Sequence, residues 1–216
     1  MRVARVSGRL SLLTESGAVD VESGSDGRFG ADPDTAFARW DELREWAEDR
    51  SDRDAAPYTD EQLGAPVLAP SQVFAIGLNY RDHAAESGVA TPSTPAVFTK
   101  FASCLAGPYE TVRLPSDGVD WEVELVVVIG RHAEGVAEEN AWSHVAGLTL
   151  GQDLSERAVQ LAGPAPRFSL GKSYPGFGPL GPAVVTPDEL TNPDDLTTLS
   201  STIDGIGQLR NPLAAR

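Results

Sequence analysis

The sequence predicts an α+β fold, mainly β, from three observations. Short apolar runs rich in β-branched residues recur along the chain, among them Val73–Gly77, Val123–Ile129 and Val145–Leu150. Helical spacing is sparse, and turn residues separate almost every run.

Taken in order, Arg2–Val6, Arg9–Leu13 and Ala18–Val21 are strand-like around Ser7-Gly8 and Ser16-Gly17, the pattern of a small antiparallel meander. Asp32-Pro33 offers an N-cap followed by proline at the first helical position. Phe37, Trp40, Leu43 and Trp46 (or Ala47) follow at near-helical spacing, so one amphipathic helix is expected to about Ala47, its aromatic stripe turned into the core. Residues 48–61, charged and turn-rich, read as a linker. Beyond it, Val73–Gly77 reads as a buried strand, and Leu78–Glu86 leads out of it into a helical turn. Ala96–Lys100 is the next strand. Val119–Gly130 is read as buried, ending in an unbroken apolar run. Val145–Gly151 is strand-like again and Ser155–Leu161 helical. Residues 164–182 are glycine- and proline-rich and read as an ordered but irregular loop. Val184–Thr186 and Thr197–Ile203 are expected strands, the second heading into a turn at Asp204-Gly205.

A chain of 216 residues suffices for one large domain or one domain with a small appendage. Its 41% hydrophobic and 23% charged residues are those of an ordinary globular protein. No apolar run reaches the ~18 residues of a membrane span. The first residues alternate polar and apolar and lack the apolar segment of a signal peptide. Cys104 stands alone, so no internal disulfide forms and a reducing cytoplasm is the expected location. With 17 basic against 32 acidic residues the formal charge is −15, which argues against nucleic acid and anionic membrane as partners. An anionic substrate then needs a locally positive site, and a bound metal supplies one.

Within Val119–Gly130, Asp120, Glu122 and Glu124 alternate, so on a strand they share a face. Carboxylates this close repel one another and are costly to desolvate. Arg or Lys between them would relieve this, and so would a solvated strand end. Oxygen-only ligands at this spacing also suit Mg²⁺ or Mn²⁺, with Ca²⁺ as a further candidate. His83 and Glu86 stand three apart; on a helical turn the carboxylate would make the imidazole a general base, unless the two are a plain surface pair. Asp153 follows a glycine-ended strand, placed either as a third oxygen ligand or as an N-cap for the next helix. Arg157 and Gln160 would share its face if that helix starts there, with Arg157 able to grip a carboxylate. Lys172 lies in Gly171-Lys172-Ser173, but a P-loop requires glycine where Pro166 stands, so that nucleotide reading fails.

The order of these segments is more specific than any one of them. N-Y-x-x-H-x-x-E, then D-x-E-x-E-L-x-V-V-I-G, then V-A-G-x-T-x-G-x-D-x-S-x-R-x-x-Q, then G-K-S-x-x-x-F-x-P-L-G-P resembles the fumarylacetoacetate hydrolase family over roughly residues 72–205. The resemblance implies a mixed β-roll or β-sandwich, with residues 1–65 as a small N-terminal region and 66–216 as the catalytic-type domain. It implies Glu122, Glu124 and Asp153 as metal ligands, His83 and Glu86 as the base dyad, and Lys172 as the residue that offsets developing negative charge. Arg157 and Gln160 match substrate-contacting positions, and Lys100 is placed with them. The implied activity is divalent-metal-dependent hydrolysis or isomerisation of acylpyruvate-like 2-oxo and β-diketo acids from aromatic catabolism, with C–C cleavage through a metal-bound enolate. An oxaloacetate-type decarboxylase and a non-catalytic remnant are the alternatives. A homodimer is the implied assembly, and a small 2-oxo acid the implied partner. The stretch 206–216 does not resemble the family's continuation, so the catalytic-type domain is expected to lack its C-terminal part.

Overall fold

The computed structural model describes residues 1–48, 54–79, 93–190, 202–203, 207–209, 211 and 213–215. Its first strands, β1 (Arg2–Val6), β2 (Arg9–Thr14) and β3 (Gly17–Asp20), form the expected meander, with Val6 opposite Arg9. Only Ser7 and Gly8 lie between them, both at positive φ (50° and 83°), which matches the right-handed twist of the paired strands. Gly17 has a stricter reason. A Cβ there would sit 2.4 Å from the carbonyl oxygen of Ala56, which bridges to Ala18 and closes residues 54–57 over the meander.

Asp20 caps the short helix α1 (Val21–Gly24), and Asp32 caps α2 (Pro33–Ala36) by accepting from the Asp34 amide. α2 tightens through the 3₁₀ segment Phe37–Arg39 into α3 (Trp40–Glu48). The expected amphipathic stretch is therefore present with a tightened centre. Its Trp40 and Leu43 are buried with Val3, Leu10, Leu12, Val19 and Val184.

Further along run β4 (Leu63–Gly64), β5 (Val73–Gly77), β6 (Ala96–Lys100), β7 (Leu105–Ala106), β8 (Val112–Leu114) and β9 (Val119–Asp120). They are followed by β10 (Val123–Ile129), β11 (Val145–Gln152), β12 (Ser155–Glu156) and β13 (Gly178–Val185). The main sheet has the order β10-β11-β13-β1-β2-β3, antiparallel throughout, with β4 on β1 and β7 parallel to β13. The mainly β class is as expected. β1 lies directly against β13, and the Met1 ammonium donates to Thr186 Oγ1 at 2.7 Å.

Four local expectations are corrected. β10 is an end strand of the described sheet, with Val127 and Ile129 45% and 55% exposed. Among the described residues β5 pairs only with β6, in a separate ribbon, and Phe74 and Ile76 face outward. An apolar run reports composition and not the number of neighbouring strands; β11 and β13 are the truly buried ones. The helix expected over 155–161 shrinks to one turn, Arg157–Gln160, capped by Glu156, whose carboxylate accepts from the Val159 amide. The irregular loop expected over 164–182 contains a helical turn at Phe168–Gly171 and yields to β13 from Gly178. Towards the end, β14 (Thr202–Ile203) pairs with β15 (Gly207–Gln208), and β16 (Leu213–Ala215) lies parallel to β8. The rest of the strand expected over 197–203, and the turn at 204–205, fall outside the described residues. Among the described residues no helix is long and apolar enough to cross a membrane.

Candidate functional site

The acidic strand is interrupted where it matters. β9 ends at Asp120 and β10 begins at Val123, so Trp121 and Glu122 form a break. The Glu122 carbonyl accepts from the Asp153 amide at 2.8 Å, pinning the break to the end of β11. Asp120 is held opposite Ser155 by the β9–β12 bridge. Strand geometry thus brings Asp120, Glu122, Glu124 and Asp153 to one end of the β10–β11 pair, where Glu124 faces Gly151 in register.

Three cations meet these acids. Lys172, 2% exposed, donates to Glu122 Oε2 at 2.8 Å, Asp153 Oδ2 at 2.9 Å and Ser155 Oγ at 2.7 Å. Its ammonium also lies 5.3 Å from the centre of the Phe98 ring. Lys100 donates to Asp153 Oδ1 at 2.6 Å, so each oxygen of this buried carboxylate carries one ammonium. The Arg157 guanidinium grips Asp120 Oδ2 (2.8 Å) and Glu122 Oε1 (2.6 Å) and donates to Gln160 Oε1 at 2.9 Å. Most of its fork is therefore spent on protein groups. The same grip holds the Asp120 carboxyl below the usual carboxylate range.

Glu124 is the exception. Burial, followed by repulsion from Asp153 and Glu122 and against the pull of Lys172, pushes its carboxyl up to about 7. Among the described residues it has no salt-bridge partner, although two other carboxylates face it. Raised acids in the fold keep a proton that the unfolded chain loses near its ordinary value. Between about pH 4.5 and 7 the unfolded chain then binds fewer protons, and stability falls as pH rises. Glu124→Gln is expected to melt a few degrees above the parent at pH 7.5, for a gain of about 1–2 kcal/mol after solvent screening, and to match it near pH 4. Equal melting curves at pH 7.5 would show that Glu124 carries no such penalty.

The donor chemistry fits a hard divalent cation: all oxygen, acid-rich, with one carboxyl left uncompensated. Among the described residues, however, no three His, Cys, Asp or Glu side chains are gathered closely enough to hold an ion, and the oxygens of Glu122 and Asp153 are paired with Arg157, Lys172 and Lys100. His83 and Glu86 lie outside the described residues. The structure thus brings Lys100, Glu122, Glu124, Asp153, Arg157, Gln160 and Lys172 into one neighbourhood. It adds Ser155, whose hydroxyl accepts from Lys172 and donates to the Asp153 carbonyl at 3.0 Å, and Glu156, which caps the turn bearing Arg157. Sequence reading passed over both. One signal in the sequence was overlooked: the chain has only two lysines, Lys100 and Lys172, and both are in this cluster. A concavity of about 720 Å³ lined by His132, Glu134, Asn140, Ser143 and His144 involves none of these residues.

Known proteins resemble this chain over much of its length. The fumarylacetoacetate (FAA) hydrolase C-terminal model matches residues 72–211. The human protein named oxaloacetate tautomerase FAHD2A, mitochondrial, is 44% identical over 142 residues, 65% of this chain and 45% of that protein. The chain thus spans about half the length of the curated relatives it matches. A Mycobacterium smegmatis crystal structure carrying the label HpcE superposes with a TM-score of 0.83 at 53% identity, over 91% of this chain and 70% of that one. Maleylpyruvate hydrolase from Sphingobium sp. SYK-6, crystallised with manganese(II) and pyruvate, gives a TM-score of 0.71 at 27% identity, over 89% of this chain and 70% of that one.

Proposed function

The chain belongs to the fumarylacetoacetate hydrolase family, and from that premise we propose that it is a divalent-metal-dependent enzyme acting on small 2-oxo acids. The reaction class is isomerisation or hydrolysis of acylpyruvate-like compounds of the kind that aromatic-ring breakdown produces. The observation that carries this reading is the fixed ammonium of Lys172 set among Glu122, Glu124 and Asp153, anionic ligands beside a buried cation. A maleylpyruvate hydrolase with manganese and pyruvate among the similar structures supports it. The second reading, keto–enol interconversion of a 2-oxo dicarboxylate, is favoured by the tautomerase named among the relatives.

Glu122, Glu124 and Asp153 would hold Mg²⁺ or Mn²⁺, with Ca²⁺ less suited to Lewis-acid work. Bound there, such an ion would supply polarisation of a substrate carbonyl. Lys172 is positioned to offset negative charge as it builds on a substrate oxygen, in a buried setting where such charge is worth most. Arg157 orients Asp120 and Glu122 and offsets their charge where a substrate carboxylate would approach. His83, with Glu86 fixing its tautomer, takes the proton from water or from the carbon next to the 2-oxo group. Attack of that water on the distal carbonyl, followed by cleavage of its C–C bond to the carbon between the two carbonyls, would give a carboxylic acid and the enolate of the 2-oxo acid, which takes the proton back on carbon. Return of the proton to a different carbon without water attack would give the isomer.

The test is a panel of enol-oxaloacetate and acylpyruvates with Mn²⁺ or with chelator, with products identified. Turnover that chelator leaves intact would remove the metal from the reading, and no turnover on any member would remove the substrate class. In the same panel His83→Ala is expected to lose ~10²-fold or more in kcat while Mn²⁺ binding persists. The parent rate should fall on the acid side as the imidazole protonates. An active His83→Ala protein with the parent pH profile would take His83 out of the mechanism.

A further inference from the structure

The two lysines do different work. The chain carries fifteen arginines and only two lysines, so almost every cation is a guanidinium except the two buried against Asp153. Lys100 is 7% exposed. Its ammonium has three N–H donors, and the protein supplies three acceptors: Asp153 Oδ1 at 2.6 Å, the Phe177 carbonyl at 3.1 Å and the Lys172 carbonyl. The last two flank the turn that carries Lys172 into β13. Beside it, the Phe101 amide donates to Ser173 Oγ at 3.0 Å, docking the end of β6 on that turn. A planar guanidinium could not direct three donors to three acceptors spread around one point; a compact ammonium does.

We propose that Lys100 is a positioning residue, one that fixes the Asp153 carboxylate and the backbone of Lys172 together and makes no contact with substrate. Two of its three acceptors are backbone carbonyls, which a substrate oxygen could displace only by unmaking the turn, whereas the Lys172 donors all go to side chains. What it sets is the angle at which Asp153 presents its second oxygen and the place where the Lys172 side chain starts. This rests on the functional reading above only for what Asp153 and Lys172 do, not for how they are held.

The experiment exploits the lysine count. In full-length protein labelled with [¹⁵N]lysine, two ammonium signals are expected, both protected from hydrogen exchange. Bulk-like exchange of the Lys100 signal in the folded parent would overturn the proposal without any variant. In Lys100→Met the remaining Lys172 signal should shift and exchange at least ~10-fold faster while a cooperative melt persists. In the surface control Arg131→Met it should stay where it is. An unmoved Lys172 signal in folded Lys100→Met would also overturn the proposal. On an active substrate, kcat of Lys100→Met should drop ~30-fold or more with KM within about threefold. A raised KM with parent kcat would make Lys100 a substrate contact instead. If the parent turns over no 2-oxo acid, the functional reading fails and the ammonium spectra alone still decide the role of Lys100.

Discussion

Asp153→Ala is expected to be the most damaging single substitution in the chain. The carboxylate is buried and carries an ammonium on each oxygen, Lys100 at 2.6 Å and Lys172 at 2.9 Å. Removing it leaves two buried cations short of an anion, and breaking a buried pair typically costs about 3–5 kcal/mol. Domains are stable by only about 5–15 kcal/mol, so a fall in Tm of about 6–20 °C follows for a chain of this size. Asp153→Asn separates charge from packing. It keeps the volume and one acceptor, so if charge compensation is the cause it should melt nearly as low as the alanine variant. If only packing matters, it should melt like the parent. Mn²⁺ binding should be lost in both, as followed by calorimetric titration. An Asp153→Asn protein that melts within a degree or two of the parent and binds Mn²⁺ normally would sink both the electrostatic account and the ligand assignment.

Residues close in sequence were legible; long-range partners were not. The Asp32-Pro33 cap and the aromatic spacing that follows it are local signals, and α2 and α3 form where they point. The meander was equally plain, because Ser7-Gly8 and the alternation around it fix register by themselves. The run at Val123–Ile129 misled, since valine and isoleucine suit an edge strand as well as a central one until its neighbours are known. At the site, the acids and the cations were each named, but not which cation meets which acid. Asp120 and Glu122 share Arg157 from 37 and 35 positions away, and Lys100 reaches carbonyls 72 and 77 residues on, distances at which no spacing rule applies. Glu156 was missed as a cap because Asp153 offered a plausible start three residues earlier; the β12 bridge delays the helix past it.

Lys172→Met should separate stability from catalysis most clearly. The substitution keeps an unbranched chain against Phe98 but withdraws the ammonium that touches both Glu122 and Asp153. Those carboxylates then face Glu124 with less compensation, and Glu124, already pushed up to about 7 against the pull of Lys172, holds its proton more strongly still. The loss of stability should therefore be greatest above neutral pH and shrink below about pH 7, where Glu124 stays neutral and one repulsion is gone. A divalent cation can supply the missing charge. Added Mn²⁺ should raise the Tm of Lys172→Met by more than it raises that of the parent, because in the variant the ion meets the same acids without the Lys172 ammonium competing for Glu122 Oε2 and Asp153 Oδ2. Activity should not follow: Mn²⁺ replaces charge among the acids but not the fixed ammonium proposed to face the substrate oxygen, so kcat is expected to fall ~10²–10³-fold even when Mn²⁺ restores the melt. A variant that Mn²⁺ stabilises no more than the parent would show that the ion does not share this site, and kcat within tenfold of the parent would relieve Lys172 of its catalytic role.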